Sequence, residues 1–487
     1  MNKVQLKQSI MKRICVFSSY SCLLLISLSG LSQTTTGKLT LKQAVETGIA
    51  NNLLVLQSGL QVQTDEINWK QSKLNLLPNL NGSASSGINQ GRSIDPSTNS
   101  YSTQQISFAS YGLSSGVVLF NGLTLRNGIK QNSLTYQASK MDWQQAKDNL
   151  TINIILAYLL VLNNDDLLHQ SRNQAELTQK QVDRLNILNN DGAIVPSLLS
   201  DLKGQYASDQ LTIISTQNSL ETSKIDLSQL LNIPYDKNLQ LERISAESFM
   251  TKYANSSDNI YQTALQQFSL IKAVDLRRQS SVKGVSVAKG GLFPTLSLNG
   301  SANTNYSNAA RNDIFLNTTN VVTTDYVVVS GNNVPVIHPQ DNFSSQKIGY
   351  GKQLNNNLFT SISLNLRIPI FNSWQARNKI KLATIDLKNN EFIASTTKTQ
   401  LQQFIEQAWI NMNTAWDRYK VLLDQVNAYQ ESFRAAEIRF NSGVGNSVDY
   451  LTAKNNLDKA NINLISAKYD YVLRTKILDY YQGRQLW

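Results

Sequence analysis

The chain has 487 residues, a formal charge of +11, two cysteines and two histidines. That length suits two or more ordinary domains or one very elongated one, and the mixed composition excludes a wholly disordered chain. The cations are dispersed among Asn, Gln and Ser, so no nucleic-acid partner is expected.

In chain order, Lys12 and Arg13 precede the apolar run Ile14–Leu28, with small residues at Gly30 and Ser32. This is the form of an export signal over residues 1–32. Removing its four cations (Lys3, Lys7, Lys12, Arg13) takes the charge from +11 to +7. Cys15 and Cys22 both lie in that segment, so the expected mature chain has no thiol chemistry, disulfide or cysteine zinc site. Beyond it, the longest apolar run is Ile152–Leu162, too short to span a bilayer as a helix. An exported chain of this kind enters a membrane as a β-barrel.

The chain then repeats itself. Leu119–Lys130 (LFNGLTLRNGIK) and Ile370–Lys381 (IFNSWQARNKIK) share six of twelve residues at an offset of 251. The offset holds without a gap from Leu113 to Gly483, mapping Gly192 onto Gly443 and Leu227 onto Leu478. Upstream, Leu76–Ser85 resembles Leu292–Asn303 at an offset of 216, which leaves 35 extra residues in the second half. They fall in the polar stretch 307–353. Two tandem structural repeats follow: residues 33–231 and 261–487, joined by a linker over 232–260.

Each repeat reads as a strand hairpin followed by a long helix, a tip and a return helix. Leu358–Phe371 alternates strictly, with Ile362, Leu364, Leu366, Ile368 and Ile370 apolar and Ser361, Ser363, Asn365 and Arg367 polar. Phe108–Phe120 puts Ala109, Tyr111, Leu113, Val117 and Leu119 on one face. Shorter strands follow Pro78 and Pro294. The chain thus holds four strands of roughly ten residues, the length a transmembrane strand needs. Leu123–Asn190 and Trp374–Asn441 contain almost no turn signal, and about 67 residues at ~1.5 Å each give roughly 100 Å of helix. Glycine turns end both, at NNDGAIVPS (Asn189–Ser197) and FNSGVGNS (Phe440–Ser447). In the second return helix Tyr450, Leu457, Leu464, Tyr471 and Leu478 recur every seven residues, the mark of left-handed supercoiling. Four strands cannot close a barrel, and open edges in lipid are costly, so the protomer must oligomerise. Two copies and three copies both satisfy this argument.

No catalytic constellation is present, and no enzyme activity or cofactor is expected. His169 and His338 lie far apart, without metal-ligand spacing. Asp165-Asp166 reads as a solvated helix face.

The order of elements resembles the TolC family of outer-membrane efflux proteins. The likeness runs from LTLKQAVETGIANNLLV (Leu39–Val55) through LLPNL and VVLFNG to the return helix ending at Gly483. GRSIDPSTN (Gly91–Asn99) is similar to a loop of Bacteroidota-type members. The resemblance implies an α+β membrane protein. Three chains would form a trimeric 12-stranded transmembrane β-barrel, four strands per chain, continuing into a long α-helical coiled-coil barrel. It implies a passive exit duct in the cell outer membrane, reaching into the periplasm. The homotrimer would work with a periplasmic adaptor and an inner-membrane pump, in efflux or type I secretion. The competing expectation is a trimeric structural or adhesive surface protein with a coiled-coil stalk.

The resemblance also assigns sites. Asp449 matches an acidic position that rings the periplasmic entrance in relatives and favours cations. Thr452 stands at the second acidic position, Gly445 at the basic residue of the closing link, and Leu198 at its acidic partner. Most of that polar lock is therefore missing, and packing by Phe440 or Leu198 could replace it. The adaptor-docking tips are Gly192, Ala193 and Ile194 with Gly443 and Val444. Phe120, Phe371 and Trp374 are expected as interfacial anchors, with Arg126, Lys130, Arg377 and Lys381 at the head-group level. Residues 307–353 should face outward, with VVTTDYVVVSGNNVPVI (Val321–Ile337) as a small extra hairpin.

Overall fold

Thr40 caps the first helix through a reciprocal box with Gln43, and Asn52 caps the second. From there the computed structural model runs α1 (Leu41–Asn51), α2 (Leu53–Leu74), β1 (Asn79–Asn89), β2 (Ser93–Ile94), β3 (Tyr101–Ser102), β4 (Ile106–Asn121), α3 (Thr124–Asn190) and α4 (Pro196–Leu231). The second half runs α5 (Ser257–Gln267), α6 (Ser269–Gly290), β5 (Thr295–Ser307), β6 (Arg311–Val329), β7 (Asn332–Lys347), α7 (Tyr350–Asn356), β8 (Phe359–Arg367), α8 (Gln375–Asn441) and α9 (Ser447–Tyr481). Residues 38–484 are described, apart from 95–98, 100, 104 and 244–250. The expected signal and most of the Asp95–Asn99 stretch lie outside the described residues.

Four strands form one antiparallel sheet in the order β1-β4-β5-β8. The register aligns the side chains in two rows across all four. Leu80, Leu113, Val117, Leu298, Ile362 and Leu364 share one face. Asn79, Ser114, Gly116, Asn299, Ser301 and Ser363 share the other, which is concave around an open hollow of about 300 Å³. A sheet greasy on one side and wet on the other is what period-two alternation dictates. Among the described residues, β1 pairs only with β4 and β8 only with β5, so both outer edges of this sheet are open.

Two details differ from the sequence expectation. A bulge between Val118 and Phe120 leaves Leu119 without a register partner and sets Phe120 opposite Leu296. Phe120 therefore takes over the apolar row where Leu119 was expected. Strand β8 ends at Arg367 and not at Phe371, because Pro369 has no N–H to continue a ladder. Ile368, Ile370 and Phe371 follow as exposed chain, Ile370 at 95%.

The passage from strand to helix is the same in both repeats. Gly122 and Leu123 have φ of 63° and 65°, and Ser373 and Trp374, 251 residues on, have 51° and 62°. Two consecutive left-handed residues turn the chain sharply before each 67-residue helix. A non-glycine residue in that conformation costs about 1–2 kcal/mol, so the turn is imposed by the packing around it.

Helices α3 and α8 are continuous pillars. Beside the sheet, α2 and α6 flank them, with α6 lying between the two pillars; towards the far end, α4 and α9 take over, with α9 between them. The flanking helices meet halfway, where Ile154, Ile155, Tyr158, Leu227 and Leu231 form the largest core with Ala44 and Val45 of α1. Tyr158 Oη lies 2.8 Å from the carbonyls of Leu39 and Glu242, binding α3 to the bridge between Leu39 and Leu241. By length and mean hydropathy alone α3 could cross a membrane, but half of its apolar window is buried, and its apolar middle lies in this core.

The 307–353 stretch is dominated by β6 and β7, a ribbon of 19 and 16 residues. It extends well beyond the Val321–Ile337 hairpin expected from the sequence.

Candidate functional site

Both helical hairpins end in the same device. Ala193 N–H donates to Leu188 O at 2.8 Å and Gly192 N–H to Asn189 O at 3.1 Å. At the matched positions Val444 N–H donates to Arg439 O and Gly443 N–H to Phe440 O, each at 3.1 Å. These are paired 6→1 and 5→2 bonds around a left-handed glycine, with φ of 65° at Gly192 and 75° at Gly443. Substituting Gly443 by Val is expected to lower the local stability of the tip by ~1–3 kcal/mol, because a β-branched side chain is strained there. Faster amide exchange over Arg439–Gly445 is the readout; unchanged exchange would reject the account.

The two tips are knit into one packed unit. Val182 and Leu185 of α3, Leu199 and Leu202 of α4, Phe433, Ala436 and Phe440 of α8, and Tyr450 and Ala453 of α9 form a single apolar cluster. Phe440 stacks on Tyr450 with ring centroids 4.7 Å apart. Ile194 and Leu198 pack on the cluster's margin. Phe440 is thus buried within its own chain. Arg184 donates to both the side chain and the carbonyl of Asn441, and Ser447 Oγ donates to Asp201 at 2.9 Å.

Asp449 lies in the first turn of α9 and is exposed; its N–H donates to the Asn446 side chain at 2.7 Å. Its carboxylate is free to face solvent and sits where the helix dipole favours an anion. Thr452, one turn on, is also exposed. Gly445 folds back on the end of α8, its N–H donating to Arg439 O at 3.0 Å. A Cβ there would approach the Phe440 nitrogen to 3.0 Å. The backbone at that position leaves little room for any side chain. Gly192, Ala193, Gly443 and Val444 are exposed at the turns.

Sequence reasoning missed two parts of this site. Val195 and Val448 are 63% and 66% exposed and join Val444, at 78%, as apolar groups beside the turns. Their positions, just before and just after a helix start, carry no periodic signal. The second is a buried ionic cluster beneath the tip. Lys454 of α9 is 1% exposed, with Nζ 2.6 Å from Asp458 and 3.2 Å from Asp209 of α4. Thr178 of α3 donates to the same Asp209 carboxylate. Burial pushes the Asp458 carboxyl up, against the pull of Lys454. An i,i+4 Lys/Asp pair normally reads as a surface feature, so nothing in the spacing signalled its burial.

At the opposite end of the pillars, Phe120, Phe371 and Trp374 are exposed at the strand–helix turns. Arg377 lies over the Trp374 ring, 4.2 Å from its centroid. Arg126, Lys130 and Lys381 project from the first turns of α3 and α8 into solvent. Leu76, Leu77, Leu292 and Phe293, ahead of β1 and β5, are exposed too and extend this apolar zone.

An amphipathic sheet joined by sharp turns to two matched helical hairpins defines a duplicated α+β chain. The chain belongs to the outer membrane efflux protein family, whose model matches residues 45–232 and 260–481. It is 22% identical over 370 residues to outer membrane protein TolC of Salmonella enteritidis, and 21% identical over 334 residues to that of Escherichia coli strain K12. The matches cover 75% and 68% of this chain, and the chain spans 66% and 60% of those relatives' own length. Its fold is similar to that of CusC, with a TM-score of 0.73 at 16% identity, covering 94% of this chain and 96% of the other.

Proposed function

We propose that three copies close one 12-stranded β-barrel in the outer membrane, and that their helices continue it as a coiled-coil tube into the periplasm. The observation that carries this reading is the four-stranded sheet with one apolar face, a concave polar face and two open edges. In lipid each edge must find a partner strand, and β1 of one copy meeting β8 of the next supplies it. The apolar rows then face lipid and the Asn and Ser rows line a wet lumen. Phe120, Phe371 and Trp374 mark the periplasmic head-group level, with Arg126, Lys130, Arg377 and Lys381 snorkelling to it.

The assembly acts as a passive exit duct and not as an enzyme. An inner-membrane pump drives substrates through it, joined by a periplasmic adaptor that docks at the tips around Gly192–Ile194 and Gly443–Val444. Exposed Val195, Val444 and Val448 suit an apolar docking contact. Asp449 rings the entrance as three carboxylates, with Thr452 beside it. Within this reading, residues 1–32 are the export signal, 33–231 and 261–487 the repeats, and 232–260 the linker between them. The stretch Gly91–Asn99 points to Bacteroidota-type members of the family.

Single-channel conductance in planar bilayers tests the proposal. The expected result is a cation-selective pore whose selectivity falls in Asp449→Ala. A pore unaffected by that change would remove the ring and keep the duct. A protein that forms no pore, even with the tips loosened, would favour the membrane-anchored stalk.

A further inference from the structure

The β6–β7 ribbon is chemically unlike the rest of the surface. Its side chains are exposed along nearly the whole of both strands. At ~3.3 Å per residue it reaches about 50 Å beyond the four-stranded sheet. Large apolar groups lie on both faces: Val322 opposite Ile337 on one, Val321 opposite His338 on the other, and towards the turn Val327 opposite Val334 next to Val328. Between Ile314 and Gln340 the only side chains that carry charge near neutral pH are Asp325 and His338. An isolated two-stranded ribbon is marginal in water, and a long ribbon with charges mostly confined to its base is a pairing hazard. Lipid does not account for it, because a strand between lipid and water is apolar on one face only.

We propose that each ribbon packs against the ribbon of a neighbouring copy, so that three of them form a collar above the barrel exit. This rests on the trimeric reading given above. The ribbon grows from β5 and returns through α7 to β8, an open edge of the sheet. The contact that closes the barrel at β8 therefore continues directly into the ribbon. Head-to-tail packing of this kind closes on itself in a ring. Near-neutral surfaces let three identical ribbons meet without repulsion.

The mature chain, free of cysteine, allows a direct test by crosslinking in cells. Val322→Cys with a short bismaleimide reports ribbon–ribbon contact. Ser83→Cys combined with Ser363→Cys, on opposite edges of one sheet, reports barrel closure between copies. The expected result is covalent dimers from both. Edge linkage with an unlinked Val322→Cys that reacts fully with a bulky aqueous maleimide would overturn the collar while leaving the trimer standing. An unlinked cysteine shielded from that reagent would place the ribbon in lipid, and an adduct with a different protein would assign it another partner; either overturns the collar. Failure of both crosslinks would remove the oligomer and the collar together.

Discussion

Lys454→Met is expected to destabilise the tip by ~3–5 kcal/mol, the scale for removing one partner of a buried ion pair. The lysine is 1% exposed and lies against Asp209 and Asp458, which would be left buried without a counter-charge. Hydrogen exchange over the last turns of α3 and α8 and the first turns of α4 and α9 should show local opening while the sheet stays protected. The pH dependence has a definite sign. Burial raises the Asp458 carboxyl above its usual range, and losing Lys454 removes the main force opposing that rise. A carboxyl raised in the folded state favours folding when protonated, and that contribution is lost as pH climbs through the folded value. The deficit of Lys454→Met should therefore shrink on acidification towards the carboxylate range. Adding Asp209→Asn and Asp458→Asn should recover much of the loss at neutral pH. A single variant with wild-type exchange at the tip would show that the cluster contributes little.

In the proposed barrel, Leu364→Arg is expected to cost ~2–4 kcal/mol of stability, while Ser363→Arg stays within about 1 kcal/mol. The two residues are neighbours in the middle of β8 but lie in opposite rows, Leu364 across from Leu298 and Ser363 across from Asn299. Only the first would place a guanidinium against hydrocarbon. Urea titration of the protein folded in vesicles measures the difference. Equal costs at the two positions would mean that the sheet does not separate lipid from water.

The strands and pillars were legible because their patterns are local. Period two set the two rows of the sheet, and the 251-residue offset placed both turns and both tips. What escaped depended on contacts that no periodicity encodes. The bulge at Leu119 shifts the phase of β4 within a stretch whose residues are apolar in either register. The end of β8 could be read from Pro369 once donors are counted as well as hydrophobic residues. Lys454 was illegible because its partner Asp209 lies 245 residues away on another helix. Phe440 read as an entrance group from the resemblance alone; its stacking on Tyr450, across the glycine turn, is a contact that no periodicity announces. The ribbon was visible as a hairpin but not in its length, since Thr- and Asn-rich flanks resemble loop.

The two pillars are equal in length to the residue, 67 each, and both stop at the same bonded glycine turn. That equality works as a gauge. One residue inserted into α3 alone would lower its tip by ~1.5 Å and swing it by about 100° relative to α8. Leu185 and Leu199 would then lose their register with Phe433 and Tyr450, and the two ends would no longer present one level rim. Length change in this protein must therefore come in synchrony: an insertion in one pillar is tolerated only with its twin in the other, and in whole heptads that keep the seam.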